Sequence, residues 1–225
     1  MIYVMSDLHG NYEKYKEMLE KIKLSDRDSL FILGDVLDRG VSSMKIILDL
    51  IYRPNIYMLA GNHDIVALSC INSLKSSTKQ SENAKRITDE WLNVMGGQAT
   101  YDEYNALDEE EQEMIEEYLS ELEFFDEVEV KGRKYILVHT LGLNNFEEDK
   151  PLDEYTQDDI LWQRCDYNYR YYNDKFLVTG HTPTSYIENN ARPDYIYIAN
   201  NHIALDCGME RLGCICLDNM VEYYV

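Results

Sequence analysis

Basic residues are in short supply. Lys and Arg number 21 against 42 Asp and Glu, a net charge of −21 in 225 residues. A surface this poor in cations has little to offer a nucleic-acid backbone or an anionic membrane, so neither is expected as a partner. One phosphate bound at a locally positive site stays compatible with it. Cysteine is also sparse. The five thiols, Cys70, Cys165, Cys207, Cys214 and Cys216, are odd in number, irregularly spaced and contain no CxxC pair. That argues against a disulfide framework and fits free thiols in a reducing compartment. Cys214 and Cys216 share one side of a strand and read as small core residues. Long hydrophobic runs are missing, so no membrane span is expected. The opening Met1–Met5 is apolar but has no basic flank and no cleavage site. The expectation is a complete, cytoplasmic chain.

What is present suits one compact domain over residues 1–225, with 45% hydrophobic and 12% aromatic residues. Nineteen of the aromatics are tyrosines, many of which are expected to sit half-buried with their hydroxyls in water. The first third alternates short apolar runs with helical periodicity. Residues 2–5, 30–33 and 56–60 read as buried strands, and 11–24, 42–52 and 64–74 as amphipathic helices. Such alternation belongs to a layered α/β fold. Residues 73–85 are polar and read as a loop. Trp91 and the pair Gly96-Gly97 follow, and then an acidic amphipathic helix over 108–125. A helical insertion spanning about 73–125 is expected in the α/β core. Seven further strands follow, with antiparallel pairing expected at the C-terminus.

The chemistry gathers at the carboxyl ends of the strands, where open α/β sheets bind ligands. The strand ends read Ser6-Asp7-Leu8-His9-Gly10, Gly34-Asp35-Val36-Leu37-Asp38-Arg39-Gly40, Gly61-Asn62-His63-Asp64, Val138-His139-Thr140 and Gly180-His181-Thr182. Four of the five histidines lie there. The fifth, His202, precedes an apolar run and is read as structural. Carboxylate, imidazole and amide donors together suit Mn, Fe or Zn, with too much nitrogen for calcium and no thiolate for structural zinc. Two divalent ions are expected, one on Asp7, His9 and Asp35 and the other on Asp35, Asn62, His139 and His181, with Asp35 as the bridge. Four positive charges against two carboxylates and a bridging hydroxide leave the site positive, as a phosphate dianion requires. The hydroxide would attack phosphorus in line. His63, if Asn62 takes the metal, is free to act as general acid with Asp38 orienting it, and Arg39 can grip phosphate oxygens.

This motif series resembles the calcineurin-like metallophosphoesterase superfamily, and within it the short bacterial and phage PPP-type serine/threonine protein phosphatases. The resemblance runs from residue 2 to about 207. It implies a four-layer αββα sandwich with the metals at the sheet edge, and manganese as the expected ion. It also implies a second phosphate-binding arginine, for which Arg164 is the candidate and Arg170 the fallback. One departure is His139-Thr140-Leu141-Gly142, where the family has a smaller residue after the histidine. The expected activity is a phosphomonoesterase acting on phosphoserine or phosphothreonine in proteins, or on a small phosphoester. Hydrolysis of diadenosine tetraphosphate or another nucleotide is the alternative. Those relatives typically lack an aspartate at the place of Asp38. A metal-binding scaffold without activity is a third reading, disfavoured because every ligand and the acid are present.

Overall fold

A computed structural model describes residues 1–76 and 81–225. Two five-stranded mixed sheets stack face to face. The first contains β1 (Ile2–Met5), β2 (Ser29–Ile32), β3 (Ile56–Met58), β9 (Gly213–Cys216) and β10 (Val221–Tyr224), in the order β10-β9-β1-β2-β3. The second contains β4 (Phe125–Val130), β5 (Arg133–Val138), β6 (Lys175–Thr179), β7 (Tyr197–Ala199) and β8 (His202–Ala204), in the order β4-β5-β6-β8-β7. β1, β2 and β3 run parallel, as do β5, β6 and β8. The C-terminal hairpin β9–β10 is antiparallel, as expected.

The layers follow from the two-residue period of the strands. Val4, Phe31, Ile215, Leu137, Val178 and Ile203 fill the space between the sheets. Their neighbours Tyr3, Met5, Leu30, Ile32, Cys214 and Cys216 point the other way, into the helices on the first sheet. Ile136, Val138, Leu177 and Ala204 point outward from the second sheet. Each central strand is therefore apolar on both faces, which is why it reads as a continuous apolar run. Cys214 and Cys216 are core residues, and all five thiols are free and buried.

The helices over the first sheet are α1 (Tyr12–Ile22), α2 (Ser43–Ile51) and α3 (Asn62–Lys75). The segment expected as an insertion folds into α4 (Glu82–Asn93), α5 (Gly97–Asn105) and α6 (Glu109–Ser120). Trp91, Tyr104, Ile115 and Leu119 from these helices join the same core cluster as α1 and α2. The polar stretch 73–85, expected as a loop, is helical at both ends. Its ends extend α3 to Lys75 and start α4 at Glu82, and residues 77–80 lie outside the described ones. Ser81 caps α4 by accepting the Ala84 N–H at 3.1 Å. Ser42 makes no side-chain cap for α2; instead Glu103 of α5 accepts the N–H groups of Ser43 and Met44. The outer face of the second sheet carries the short α7 (Gln157–Leu161), two 3-10 turns and a tyrosine-rich chain.

Burial of the tyrosines exceeds the expectation. Tyr3, Tyr15, Tyr104, Tyr135, Tyr155, Tyr167, Tyr171 and Tyr172 are buried. Internal partners replace water for several of them: Tyr15 donates to Asp49 at 2.7 Å and Tyr171 to the Leu141 carbonyl at 3.0 Å.

His202 lies inside the second sheet, fully buried, with Nε2 2.8 Å from Thr179 Oγ1 and its ring stacked on Tyr167. Burial lowers its pKa from 6.5 to about 3. The imidazole is therefore neutral in the fold, while the unfolded chain takes up a proton below pH 6.5. Stability from this group is complete above pH 6.5 and is lost as pH falls toward 3. Between pH 7 and 5 the loss is expected to be about 2 kcal/mol. Urea unfolding of the metal-free protein at the two pH values, compared with His202→Gln, measures it. Equal pH dependence of the two proteins would contradict this account.

Candidate metal centre

Three turns leave the first sheet and two leave the second, and all five meet at one edge. Backbone bonds hold them together. Asp7 N–H donates to the Gly34 carbonyl at 3.1 Å, His9 N–H to Asp35 at 3.0 Å, and Gly180 N–H to His139 at 3.0 Å. Asp64, at the start of α3, accepts the N–H groups of Asp35, Val36, Leu37 and Gly61 within 3.1 Å. One buried carboxylate thus fastens the second turn to the third. The turns are tight enough to force Asp7, His9, Asp35, Asp38, Arg39 and His181 to positive φ, between 43° and 69°. Non-glycine residues pay for that conformation, and such strain gathers at functional sites.

Asp35 stands at the centre. Its Oδ2 lies 3.8 Å from His9 Nε2 and its Oδ1 3.5 Å from His139 Nε2. His139 Nε2, His181 Nδ1 and Asn62 Oδ1 form a triangle with edges of 3.0, 3.0 and 3.1 Å. The far nitrogen of each ligand-type histidine faces a backbone carbonyl: His9 Nδ1 faces Leu37 at 2.9 Å, His139 Nδ1 faces Leu33 at 2.7 Å and His181 Nε2 faces Trp162 at 3.2 Å. A carbonyl only accepts, so each of those nitrogens carries the proton and the inward nitrogen presents a lone pair. Lone pairs and amide oxygen 3 Å apart, with a carboxylate beside them, repel one another unless a cation sits among them. This donor set fits a divalent metal, and the histidine–carbonyl bonds supply the orientation that metal ligands need. Two groups of donors satisfy metal-ligand spacing, His9–Asp35–His63 and Asp35–His139–His181.

The charges agree with that fit. Burial works against the Asp35 carboxylate, but His139, His63 and His9 hold its pKa well below the ordinary carboxylate range. Burial, helped by neighbouring positive groups, lowers His9 to about 3 and His181 to about 4, so both are neutral ligands. Asp7 is pushed well above its usual value by burial and by the charges of Asp206 and Asp35, and accepts the His181 N–H at 3.1 Å. Asp7, crowded in this way, needs a cation to stay ionised.

A cavity of about 360 Å³ opens over these donors, lined by Asp7, Asp35, Arg39, Asn62, His63, Arg164, His181, Pro183, Tyr186 and Asp206. Of the residues singled out in the sequence, His9 and His139 lie just beneath it, almost fully buried. Asp38 is also beneath the floor, fully buried, with Oδ2 2.8 Å from His63 Nδ1. Burial opposes protonation of His63, yet the Asp38 hydrogen bond and the Asp35 and Asp38 charges raise its pKa overall. Arg39 reaches into the cavity and donates from Nη2 to His63 Nε2 at 3.0 Å. Arg164 lines the wall and Arg170 is exposed outside it.

Sequence reasoning missed three lining residues, Pro183, Tyr186 and Asp206. Asp206 follows β8 as the candidate ligands follow their strands, so the strand-end rule was available for it. Tyr186 sits in a 3-10 turn and carried no local signal. The bulkier Thr140 and Leu141 leave the cavity clear. Both are fully buried; Thr140 donates its hydroxyl to the Gln163 carbonyl at 2.7 Å, and the Leu141 side chain packs outside the second sheet.

A family profile described as calcineurin-like phosphoesterase matches residues 1–214. The chain belongs to the calcineurin-like phosphoesterase family. It is a hydrolase fold of metal-dependent type, and divalent ions are the family's cofactors. A symmetrical bis(5'-nucleosyl)-tetraphosphatase of Buchnera aphidicola subsp. Schizaphis graminum is 37% identical over 82 residues, 36% of this chain and 30% of that protein. The enzyme of the same name from Wigglesworthia glossinidia brevipalpis is 37% identical over 86 residues, 36% and 31% of the two chains. The matched region thus spans about a third of those curated relatives. Among solved structures, a proposed diadenosine tetraphosphatase aligns with 100% of this chain and 92% of its own, with TM-score 0.67 and 15% identity. A metallophosphoesterase from Sphaerobacter thermophilus aligns with 99% and 86%, with TM-score 0.56 and 15% identity. These overlays carry the αββα architecture. No helix among the described residues is long and apolar enough to cross a membrane.

Proposed function

We propose that the protein is a metal-dependent hydrolase of dinucleoside polyphosphates. The geometric support is a second cleft of about 560 Å³ beside the metal cavity, with Arg164 and Tyr186 lining both. Tyr186 is 67% exposed, and the Arg164 guanidinium lies 5.4 Å from its ring centroid. An aromatic face and a cation at the mouth of a metal site suit a nucleobase stacked beyond a polyphosphate chain. The activity named for the tetraphosphatase relatives points the same way.

In this reading Asp7, His9 and Asp35, and Asp35, Asn62, His139 and His181, would hold the ions, which would supply charge neutralisation and an acidified water there. Arg39 and Arg164 bind the phosphate oxygens with planar, charge-assisted forks. When Arg39 turns to the phosphate it releases His63 Nε2, which then carries the proton for the leaving oxygen, while Asp38 keeps Nδ1 in place.

A second reading, dephosphorylation of phosphoserine or phosphothreonine, is favoured by the Asp38–His63 pair. An alkoxide is a far more basic leaving group than a nucleotide phosphate oxygen, so a built acid contributes most there. The two are separated by giving metal-stripped protein diadenosine tetraphosphate and a phosphothreonine peptide in parallel, with and without manganese. Manganese-dependent release of nucleotide, with the peptide inert, is the expected result. Tyr186→Ala should then raise the dinucleotide KM about tenfold, the loss of one stacked base. Peptide cleavage alone would transfer the function to the second reading. Binding of two ions with neither substrate hydrolysed would indicate a scaffold.

A further inference from the structure

Trp91, Gly96, Gly97 and Thr100 lie in α4, α5 and the turn between them, outside the metal cavity; Trp91, Gly96 and Thr100 bond to the Asp38-Arg39 turn, and Gly97 packs against the Trp91 indole. The fully buried Trp91 donates its indole N–H to both carboxylate oxygens of Asp38, at 3.0 Å each. Thr100 Oγ1 accepts the Asp38 N–H at 3.0 Å, and the Gly96 carbonyl accepts the Arg39 N–H at 3.1 Å. The two glycines are required by this fit. Gly96 has φ +88°, and a Cβ there would stand 2.9 Å from Arg39 N; a Cβ on Gly97 would stand 2.3 Å from the indole nitrogen.

Asp38 and Arg39 are consecutive residues at φ 69° and 67°. A pair of non-glycine residues in that region persists only where the surroundings impose it. The helical segment imposes it through the two backbone bonds, and the indole fixes the plane of the carboxylate. Asp38 Oδ2 then faces His63 Nδ1. The Asp38 side chain is sealed from solvent, so water cannot replace the indole as its second donor.

We infer that Trp91 is a positioning residue for the general acid, and that α4 and α5, through the Trp91–Gly96–Gly97–Thr100 group, set the geometry of the Asp38–His63 pair. The inference rests on His63 being the acid. Trp91 touches neither phosphate nor metal donors, so it acts only through Asp38 and His63.

A double-mutant cycle tests it on whichever substrate the wild type hydrolyses. Trp91→Phe removes the N–H and keeps most of the ring volume. It should lower kcat about tenfold or more, as loss of an orienting partner does, with KM and metal content within about twofold. In a His63→Asn background the same change should cost less than about twofold, because the group it positions is gone. An undiminished loss in that background would assign Trp91 a purely structural role and overturn the inference while leaving His63 as the acid. Full activity of His63→Asn alone would remove the acid reading, and the inference with it. If Trp91→Phe does not fold, the indole N–H resonance of the intact protein, assigned with Trp162→Phe, replaces it. That resonance should be exchange-protected and should move upfield in Asp38→Asn; an unmoved resonance would overturn the inference.

Discussion

Asp35→Asn is expected to reduce bound metal from two equivalents to less than one and to abolish turnover. Asp35 belongs to both donor groups and lies between His9 and His139. Changing it to an amide removes one negative charge and leaves the inward histidine lone pairs facing a neutral group. Loss of an outer partner of a metal ligand costs about 10- to 100-fold in affinity, and loss of a shared ligand should exceed that for both ions. Metal analysis after gel filtration reads the effect directly. A thermal scan gives a second readout, since manganese should raise the midpoint of the wild type and not that of the variant. Two tightly held ions in the variant would remove Asp35 from its bridging place.

His63→Asn is expected to behave in the opposite way, lowering kcat by about 10²- to 10⁴-fold while both ions remain. The geometry allows a competing role, because His63 also falls within ligand spacing of His9 and Asp35. Its two nitrogens are nevertheless engaged, Nδ1 by Asp38 and Nε2 by Arg39. The imidazole is held at the cavity wall, and its affinity for a proton is raised where that of His9 and His181 is lowered. A protonated imidazole cannot ligate a cation, so the two roles are chemically exclusive. Metal content of the variant decides between them: a stoichiometry near two supports the acid, and loss of an ion would make His63 a ligand.

Much of this centre was legible from residue order alone. A strand buried on both faces must end where a polar residue first appears, and in a parallel sheet those ends share one edge. That rule puts Asp7, His9, Asp35 and Asn62 at the edge of the first sheet and His139 and His181 at that of the second; the stacking of the two sheets brings the edges together. The same rule extended to Asp206, which follows β8 (His202–Ala204) and was not among the residues singled out. Tyr186 and the partner of Trp91 were beyond reach. Neither depends on a local pattern: one is set by a short turn beside the cavity, the other by a contact 53 residues away in the chain.

The substrate expectation moved for a related reason. Asp38 pointed toward protein phosphatases, whereas the tetraphosphatase relatives and the cleft shared by Arg164 and Tyr186 favour a nucleotide. Leaving-group chemistry is written in single residues, but the space a substrate occupies is formed between distant segments.

By itself, the amino-acid sequence determined the layered α/β order and which donor-bearing residues stand at the strand ends. These depend on side-chain period and donor chemistry, which are properties of neighbouring residues. Only the tertiary structure decided which histidine nitrogen faces inward, that Thr140 and Leu141 turn away from the cavity, and that helices α4 and α5 grip Asp38. Those outcomes depend on how separate segments meet, and burial makes each meeting specific, because an unpaired donor or a misplaced methyl group has no solvent to relieve it.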